Sequence, residues 1–522
     1  DQVDARAYLT ARLIDILVGD WDRHFDQWAW AEHPAENGRV WRPVPRDRDQ
    51  AFAKLDGLVP SVARRYLPQL VSFEALYPSI YGLTWSARAL DRRFLLALEK
   101  PVWDSVVRVV QSRLSDTVLE TAVARLPPEM RRHGTDLLGA LRERRNSLPS
   151  AAEQFYPLVA EYADVRATDE NDVAEIDRFD DGRVRVRLAP ARAESTPYFV
   201  RMFLLSETKE IRLYLAGGDD RAVVRGTAPR SPVVRVVGGN GDDVLMDSSR
   251  VGLPIVRSIL TSTLFYDSDG ENHFGIGPGT ELDERRFRPP PRTDVYPDRP
   301  PDSCGDARID PPPRDLGDPF RDWGSRWLPA PFLSFQPNLG LIIGAGTERL
   351  GYAFRKTPYG SRVGLRAAFA TGPRRWRVSY EGDFRNLPRR AWASFAVRYS
   401  GLDGVRFHGS GNETMLTAPA GYYAVTQRQV SAGAALTLFP PRSRVSFGPF
   451  FEFAETERGQ GGLIDSLRPY GSDGFAQFGA QGRVEVDTRD RSWAPRRGLH
   501  FIAGARVVPA VFDATSSYGF AY

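Results

Sequence analysis

From Phe332 to the end, about 190 residues alternate between apolar and polar side chains. A period of two is the signature of strands with one face in an apolar environment and one in a polar one. Val363, Leu365, Ala367 and Phe369 alternate with Arg362, Gly364, Arg366 and Ala368, and Trp376, Val378, Tyr380 and Phe384 with Arg377, Ser379, Glu381, Asp383 and Arg385. Phe395, Val397 and Tyr399 continue the pattern against Ser394, Ala396 and Arg398, followed by Val430 to Leu438, Val445 to Phe451 and Leu499 to Val507. About ten such segments follow one another, each around ten residues long. No stretch reaches the roughly 18 uninterrupted apolar residues of a membrane-spanning helix. A chain that crosses lipid without helices must pair every amide in a closed sheet. An antiparallel transmembrane β-barrel is therefore expected, with Trp376, Tyr380, Trp392, Tyr399, Tyr422 and Tyr423 in aromatic girdles. Arg362, Arg366, Arg377, Glu381, Asp383, Arg398, Arg483, Glu485 and Arg506 would line its wet interior. The alternative is a soluble antiparallel sandwich, whose strands are shorter and whose polar faces meet bulk water.

Val486-Asp487-Thr488-Arg489-Asp490, followed by Pro495 and Gly498, resembles the Asp-x-Arg-Asp turn of the bacterial surface-antigen barrels, the BamA-like family. Phe407-His408-Gly409-Ser410-Gly411-Asn412-Glu413 is similar to a strand-end motif of the same barrels. The resemblance implies a Gram-negative cell outer membrane, lipid as the surrounding partner, and a lumen and seam that admit a polypeptide substrate. It also implies further strands beyond Tyr522, so the barrel is expected to be truncated. The chain opens Asp1-Gln2-Val3 with neither methionine nor leader and is expected to be a fragment.

A length of 522 residues predicts about three folded domains. A helical module is expected over 1–165, where Leu9, Leu13, Ile16 and Leu17, then Phe94, Leu95 and Leu98, then Leu137, Leu138 and Leu141 recur at helical spacing, punctuated by Pro127-Pro128 and Pro149. Over 166–286 short strands such as 184–188, 198–205 and 211–215 predict a small β domain. Residues 287–331, with two triple-proline runs, read as a linker, and 332–522 as the barrel. Seventy Lys plus Arg against 66 Asp plus Glu leaves +4, too near balance for a nucleic-acid footprint. Cys304 is the single cysteine and excludes an internal disulfide. His24, His33, His133, His273, His408 and His500 show no metal-binding spacing.

The helical region carries one passage that fits no period. Gly19-Asp20-Trp21-Asp22-Arg23-His24-Phe25-Asp26-Gln27-Trp28 and Pro45-Arg46-Asp47-Arg48-Asp49-Gln50 are two acidic clusters joined by what reads as a β-hairpin. Phosphoryl transfer needs one carboxylate to take a proton from the acceptor and others to hold magnesium on the phosphates. The two clusters resemble the catalytic and metal loops of atypical kinases of the CotH-like, HipA-like and secretory casein-type groups. By that likeness Asp22 would be the catalytic base with His24 beside it. Asp49 would be the main magnesium ligand and Asp47 a second. Gln27 falls where a metal-binding asparagine is usual. No nucleotide-binding lobe precedes Asp20, so phosphotransfer is expected only of a longer protein. The same residues read without the resemblance give a surface network in which Asp20, Asp22, Asp47 and Asp49 pair with Arg23, Arg42, Arg46 and Arg48.

In the β domain two segments repeat, Leu213 to Asp220 and Val234 to Val244, with Gly217-Gly218 and Gly238-Gly239 aligned 21 residues apart, as in two stacked coils. Gly238 to Leu245 is similar to one calcium-binding nonapeptide of the repeat-in-toxin proteins, which would make Asp242 and Asp243 calcium ligands; tight Gly/Asp turns linking strands are the plainer alternative. Two functions thus stand open from sequence. One is an outer-membrane barrel that anchors, assembles or translocates protein. The other is a membrane-mounted enzyme of phosphate chemistry, either a phosphotransferase or a phosphoesterase whose catalytic domain lies upstream.

Overall fold

The computed structural model describes residues 2–522 apart from 36–37, 65–66, 193–195, 254–260, 288–320, 337–338, 388–390, 410–416, 440–442, 458–460 and 491–494. Cys304, most of the proline-rich segment and residues 410–413 of the second barrel motif lie outside the described residues. The chain divides into two compact units, Asp1–Pro319 and Phe320–Tyr522.

The first unit opens with the helix Ala5–Val18. The Asp4 side chain caps its start, accepting from the Ala7 amide at 2.9 Å, and Gly19 at φ +75° ends it. Tyr8, Leu9, Leu13 and Ile16 are buried against Trp103, Val107, Leu148 and Phe155, from the helices Lys100–Arg113 and Gly134–Ala160. The last helix runs unbroken through Pro149, one of the prolines that punctuate the sequence, and through Pro157. A helix-interior proline costs about 3 kcal/mol. Burial of Leu148, Ala151, Ala152, Phe155 and Val159 along the same helix offsets it. Leu95 and Leu98, expected within a helix, fall between Arg88–Phe94 and Lys100–Arg113 yet remain core residues.

The small β domain is a two-layered parallel roll. Strands Tyr162–Arg166, Glu210–Gly217, Val233–Asn240, Thr263–Tyr266 and Thr280–Asp283 lie side by side in one layer. Asp172–Arg178, Arg221–Ala228, Val244–Asp247 and His273–Gly275 form the parallel part of the other, extended by the antiparallel strands Val184–Pro190 and Phe199–Phe203. The chain passes from the first layer to the second at each turn, and the alternate side chains of both layers, Val165, Ile176, Leu213, Leu215, Val224, Val234, Val236, Leu245 and Phe265, fill the space between. Among the described residues four such turns stack, where the repeat predicted two. The register also corrects the repeat: Leu213 pairs with Val236 and Ala216 with Gly239, an offset of 23 residues that superposes Asp219-Asp220 on Asp242-Asp243. Gly218, Gly241 and Gly270 stack at positive φ, and a Cβ on Gly241 or Gly270 would overlap the carbonyl of the glycine one coil before it.

The second unit is one large antiparallel sheet. Its eight long strands run Gly340–Ala353, Lys356–Ala370, Arg375–Phe384, Trp392–Arg406, Ala424–Leu438, Ser443–Thr456, Phe475–Asp487 and His500–Val508, each paired with the next, and Tyr518–Ala521 follows. Ser325–Pro329 and Phe332–Gln336 both pair with Gly340–Ala353, so the sheet begins inside the stretch expected to be linker. Among the described residues no pairing joins the first strand to the last, so the antiparallel sheet is open and does not close into a barrel.

Its two faces are chemically distinct. Thr347, Leu365, Tyr380, Val397, Ala432, Phe451 and Phe478 form one cross-strand row. The adjacent row on the other face is Gly346, Arg366, Ser379, Arg398, Ser431, Glu452 and Gln477. The polar face is laced by Arg366–Glu348 at 3.1 Å, Arg444–Glu485 at 2.7 Å, Arg483–Glu485 at 3.0 Å and Arg506–Glu452 at 3.1 Å. The apolar face is open: Leu365, Val397 and Phe478 are 48%, 47% and 43% exposed. The buried apolar clusters of this unit are small, Ile342, Ala368, Ala370 and Leu402 in one and Phe450, Val508 and Ala514 in the other. The Asp-x-Arg-Asp turn is stitched by Arg489 on Asp487 at 2.7 Å and by the Arg496 amide donating to Asp490 at 2.9 Å, with Gly498 at φ +102°.

Candidate functional site

The strands Trp28–Ala35 and Gly38–Pro45 form the expected hairpin, Trp28 opposite Pro45, and this pairing brings the two acidic clusters together at its open end. Arg23 is the joint between them. It is fully buried, lies over the Trp28 ring at 4.5 Å, and donates to the backbone carbonyls of Gln27 at 3.1 Å and of Asp47. Its Nε sits 3.2 Å from Asp15 Oδ2 and its Nη1 3.5 Å from Asp20 Oδ2. Asp15 also faces Arg12 at 3.0 Å and Arg48 at 2.9 Å, and Arg12 forks onto Asp91 at 2.8 and 3.2 Å.

Of the expected surface network the Arg23–Asp20 pair is present but buried, and the remaining arginine contacts there use partners that the acidic motif did not contain. Asp15 holds Arg23 and Arg48 together with Arg12, which Asp91 shares, and Arg42 turns away to Asp4 at 3.2 Å. Sequence carried one signal for this: Arg12 and Asp15 interrupt the apolar face of a helix that buries Leu13 and Ile16. Charges on such a face survive only when paired.

With Arg23 and Arg48 turned to Asp15 and Arg42 to Asp4, Asp22, Asp47 and Asp49 have no arginine or lysine partner within ion-pair distance among the described residues. Asp22 is half-buried, its Oδ1 3.8 Å from His24 Nε2, and His24 Nδ1 accepts from the Asp26 amide at 3.3 Å. Asp47 and Asp49 are exposed, the Asp49 amide donating to Asp47 Oδ1 at 3.1 Å. Gln27 takes part through its main chain, whose carbonyl also accepts from the Arg46 amide at 3.0 Å. Among the described residues no group of three or more His, Cys, Asp or Glu is placed to hold a metal. A magnesium ion at Asp47 and Asp49 would have to be completed by phosphate oxygens and water, as is usual for that ion.

Asp20 behaves differently from its neighbours. Burial, reinforced by Asp15, pushes its carboxyl up to about 6 despite Arg23. Between about pH 4 and 6 the folded chain then holds a proton that the unfolded chain releases, so this group's contribution to stability falls as pH rises through that window and is flat above it. Asp20→Asn is expected to remove that part of the pH dependence, measured by urea denaturation at pH 4.5 and pH 7; an unchanged difference between the two would refute the assignment.

In the roll, the stacked turns place two rows of side chains. The exposed row is Asn171, Asp219, Asp242 and Glu271; the inner row is Asp172, Asp220, Asp243 and Asn272. In the exposed row each backbone amide donates to the side chain one coil back, and in the inner row to the one ahead: Asp219 to Asn171 at 2.9 Å, Asp242 to Asp219 at 3.0 Å and Glu271 to Asp242 at 2.7 Å in the first. In the second, Asp172 donates to Asp220 at 2.7 Å, Asp220 to Asp243 at 2.9 Å and Asp243 to Asn272 at 2.8 Å. Asp242 and Asp243, expected to act together, thus belong to different rows.

No family model, no curated protein and no solved structure matches this chain.

Proposed function

We propose that the chain is part of a Gram-negative outer-membrane β-barrel protein, its large sheet set in lipid and carrying the helical module and the roll as membrane-anchored domains. One observation supports this above the rest: an antiparallel sheet with one face of exposed Leu, Val, Phe and Tyr and the other of ion-paired Arg and Glu. Exposed apolar patches of this extent mark contact with membrane or partner. A soluble sandwich would bury that face against a second layer. The strands of 9 to 15 residues, Arg375–Phe384 among the shorter, also suit a tilted crossing of the bilayer. On this reading the polar face lines the lumen, and a polypeptide substrate is the class of cargo that the surface-antigen likeness implies. The test is expression with an export signal in a Gram-negative host: the chain should float with outer-membrane vesicles and resist alkaline carbonate extraction. A monodisperse protein in the periplasmic fraction, soluble without detergent, would overturn the proposal.

A second reading is favoured by Arg23, which ties the Asp22 loop to the Asp47–Asp49 loop while leaving those three carboxylates free of arginine. This is the arrangement that phosphate chemistry with magnesium would use, with Asp22 as base. The protein extended upstream of Asp1 is expected to bind magnesium-nucleotide, and Asp22→Ala or Asp49→Ala to lower the affinity at least about tenfold with membrane assembly intact. Equal binding by wild type and variants would remove this reading and leave the barrel as the function.

A further inference from the structure

Several buried acids of the first unit are matched to arginine. Asp15 has Arg12, Arg23 and Arg48; Asp91 has Arg12; Asp177 has Arg185 and Arg225; Glu210 has Arg212 and Arg235. Those without a cationic partner among the described residues lie in the roll; two of them, Asp172 and Asp247, accept from the Thr168 and Thr280 hydroxyls. Asp220, Asp243 and Asp267 are 2%, 1% and 5% exposed and have no cationic partner among the described residues. One oxygen of each is satisfied within the turns, through the amides of Asp172, Asp220 and Asp269. The other, Oδ2 in all three, is buried with no hydrogen-bond partner.

Two of these orphaned oxygens converge. A Cβ added to Gly238 would overlap both Asp267 Oδ2 and Asp243 Oδ2, so the two carboxylates close over the same point of the Gly238 backbone, which only glycine leaves open. Asp220 lies one coil away, in the same inner row as Asp243. Like charges this close, taken out of water, are held only by a proton or a cation between them. The donors are hard oxygens with no nitrogen or sulfur among them, which selects calcium or magnesium over zinc or copper.

We propose that the inner turns of the roll form a divalent-cation site, with Asp243 and Asp267 as its carboxylate ligands and Asp220 adding negative charge from the next coil. The remaining coordination falls to backbone carbonyls and water, since no third His, Cys, Asp or Glu among the described residues completes a metal-holding group. Burial pushes the Asp220 carboxyl up to about 7 and raises those of Asp243 and Asp267 in the same direction. That upward shift expresses the same unmet demand for positive charge. Asp242, in the exposed row with its Oδ1 engaged by the Glu271 amide, is not part of the site.

The experiment is titration of the detergent-solubilised chain, stripped with chelator, with calcium chloride and then magnesium chloride by calorimetry at pH 8 and pH 5.5. One ion per chain is expected at pH 8. Because protons compete for carboxylates whose affinity for a proton is raised by burial, apparent affinity at pH 5.5 should be at least about tenfold weaker. Asp243→Asn and Asp267→Asn, which keep the amide-accepting oxygen, should each weaken binding at least about tenfold, whereas Asp242→Asn should leave it unchanged. A variant-free check is hydrogen exchange: calcium should slow exchange of the amides of 244–247 and 263–266 in the wild-type chain. Absence of binding by either ion at millimolar concentration and pH 8, with exchange unchanged, would overturn the proposal in favour of a shared proton. Binding lost in Asp242→Asn but kept in Asp267→Asn would overturn it in favour of the exposed row.

Discussion

Arginine in place of Val397 is expected to block assembly of the large sheet into the outer membrane, at about 2 to 4 kcal/mol if the position lies near the bilayer midplane. Val397 stands in the middle of the row from Thr347 to Phe478, flanked by Tyr380 and Ala432, and is half-exposed on the apolar face. In water such a substitution on an exposed strand position would change stability by no more than about 0.5 kcal/mol. The contrast with Ser379→Arg, in the adjacent row of the other face opposite Arg366 and Arg398, is therefore diagnostic. Folding yield into lipid vesicles, read by protease protection, should fall for Val397→Arg and hold for Ser379→Arg. Equal yields for the two would mean that the apolar face does not meet lipid.

The second large effect is expected from Asp15→Ala. Asp15 is fully buried and compensates Arg12 at 3.0 Å, Arg23 at 3.2 Å and Arg48 at 2.9 Å. Removing one carboxylate leaves charge buried without compensation, at a cost of about 3 to 5 kcal/mol. Arg48→Ala should cost about 1 kcal/mol or less, since its side chain is one-third exposed and returns to water. The loss should appear as faster amide exchange through the helix Ala5–Val18 and as protease cleavage between Asp20 and Phe52, because Arg23 would lose its anchor and with it the link between the two acidic loops. A loss below about 1 kcal/mol in urea denaturation would show that the cluster is not the anchor described.

The sheet was legible because its signal is local. A strand's alternate residues face opposite ways, so the period of two over 363–369, 376–384 and 395–399 reports the two faces without knowledge of any partner strand. The buried network was not legible. Asp91 lies 79 residues from Arg12, and nothing in either neighbourhood announces the other. The roll shows the same limit in finer form. Its Gly-Gly pairs invited an offset of 21, whereas backbone pairing imposes 23, because in a parallel coil it is the stacked turn amides and glycine carbonyls that set register, not the most similar letters.

Sequence alone determined the chemistry of each face: which strands present Leu and Phe, which present Arg and Glu, and where glycine permits a turn. Tertiary structure decided which charges meet. It gave Asp15 three arginines, left Asp22, Asp47 and Asp49 without any among the described residues, and closed Asp243 against Asp267, a residue that no motif indicated. The physical reason is range: side-chain alternation and turn conformation are properties of adjacent residues, while the compensation of a buried charge depends on groups that only the folded chain brings within a few ångströms.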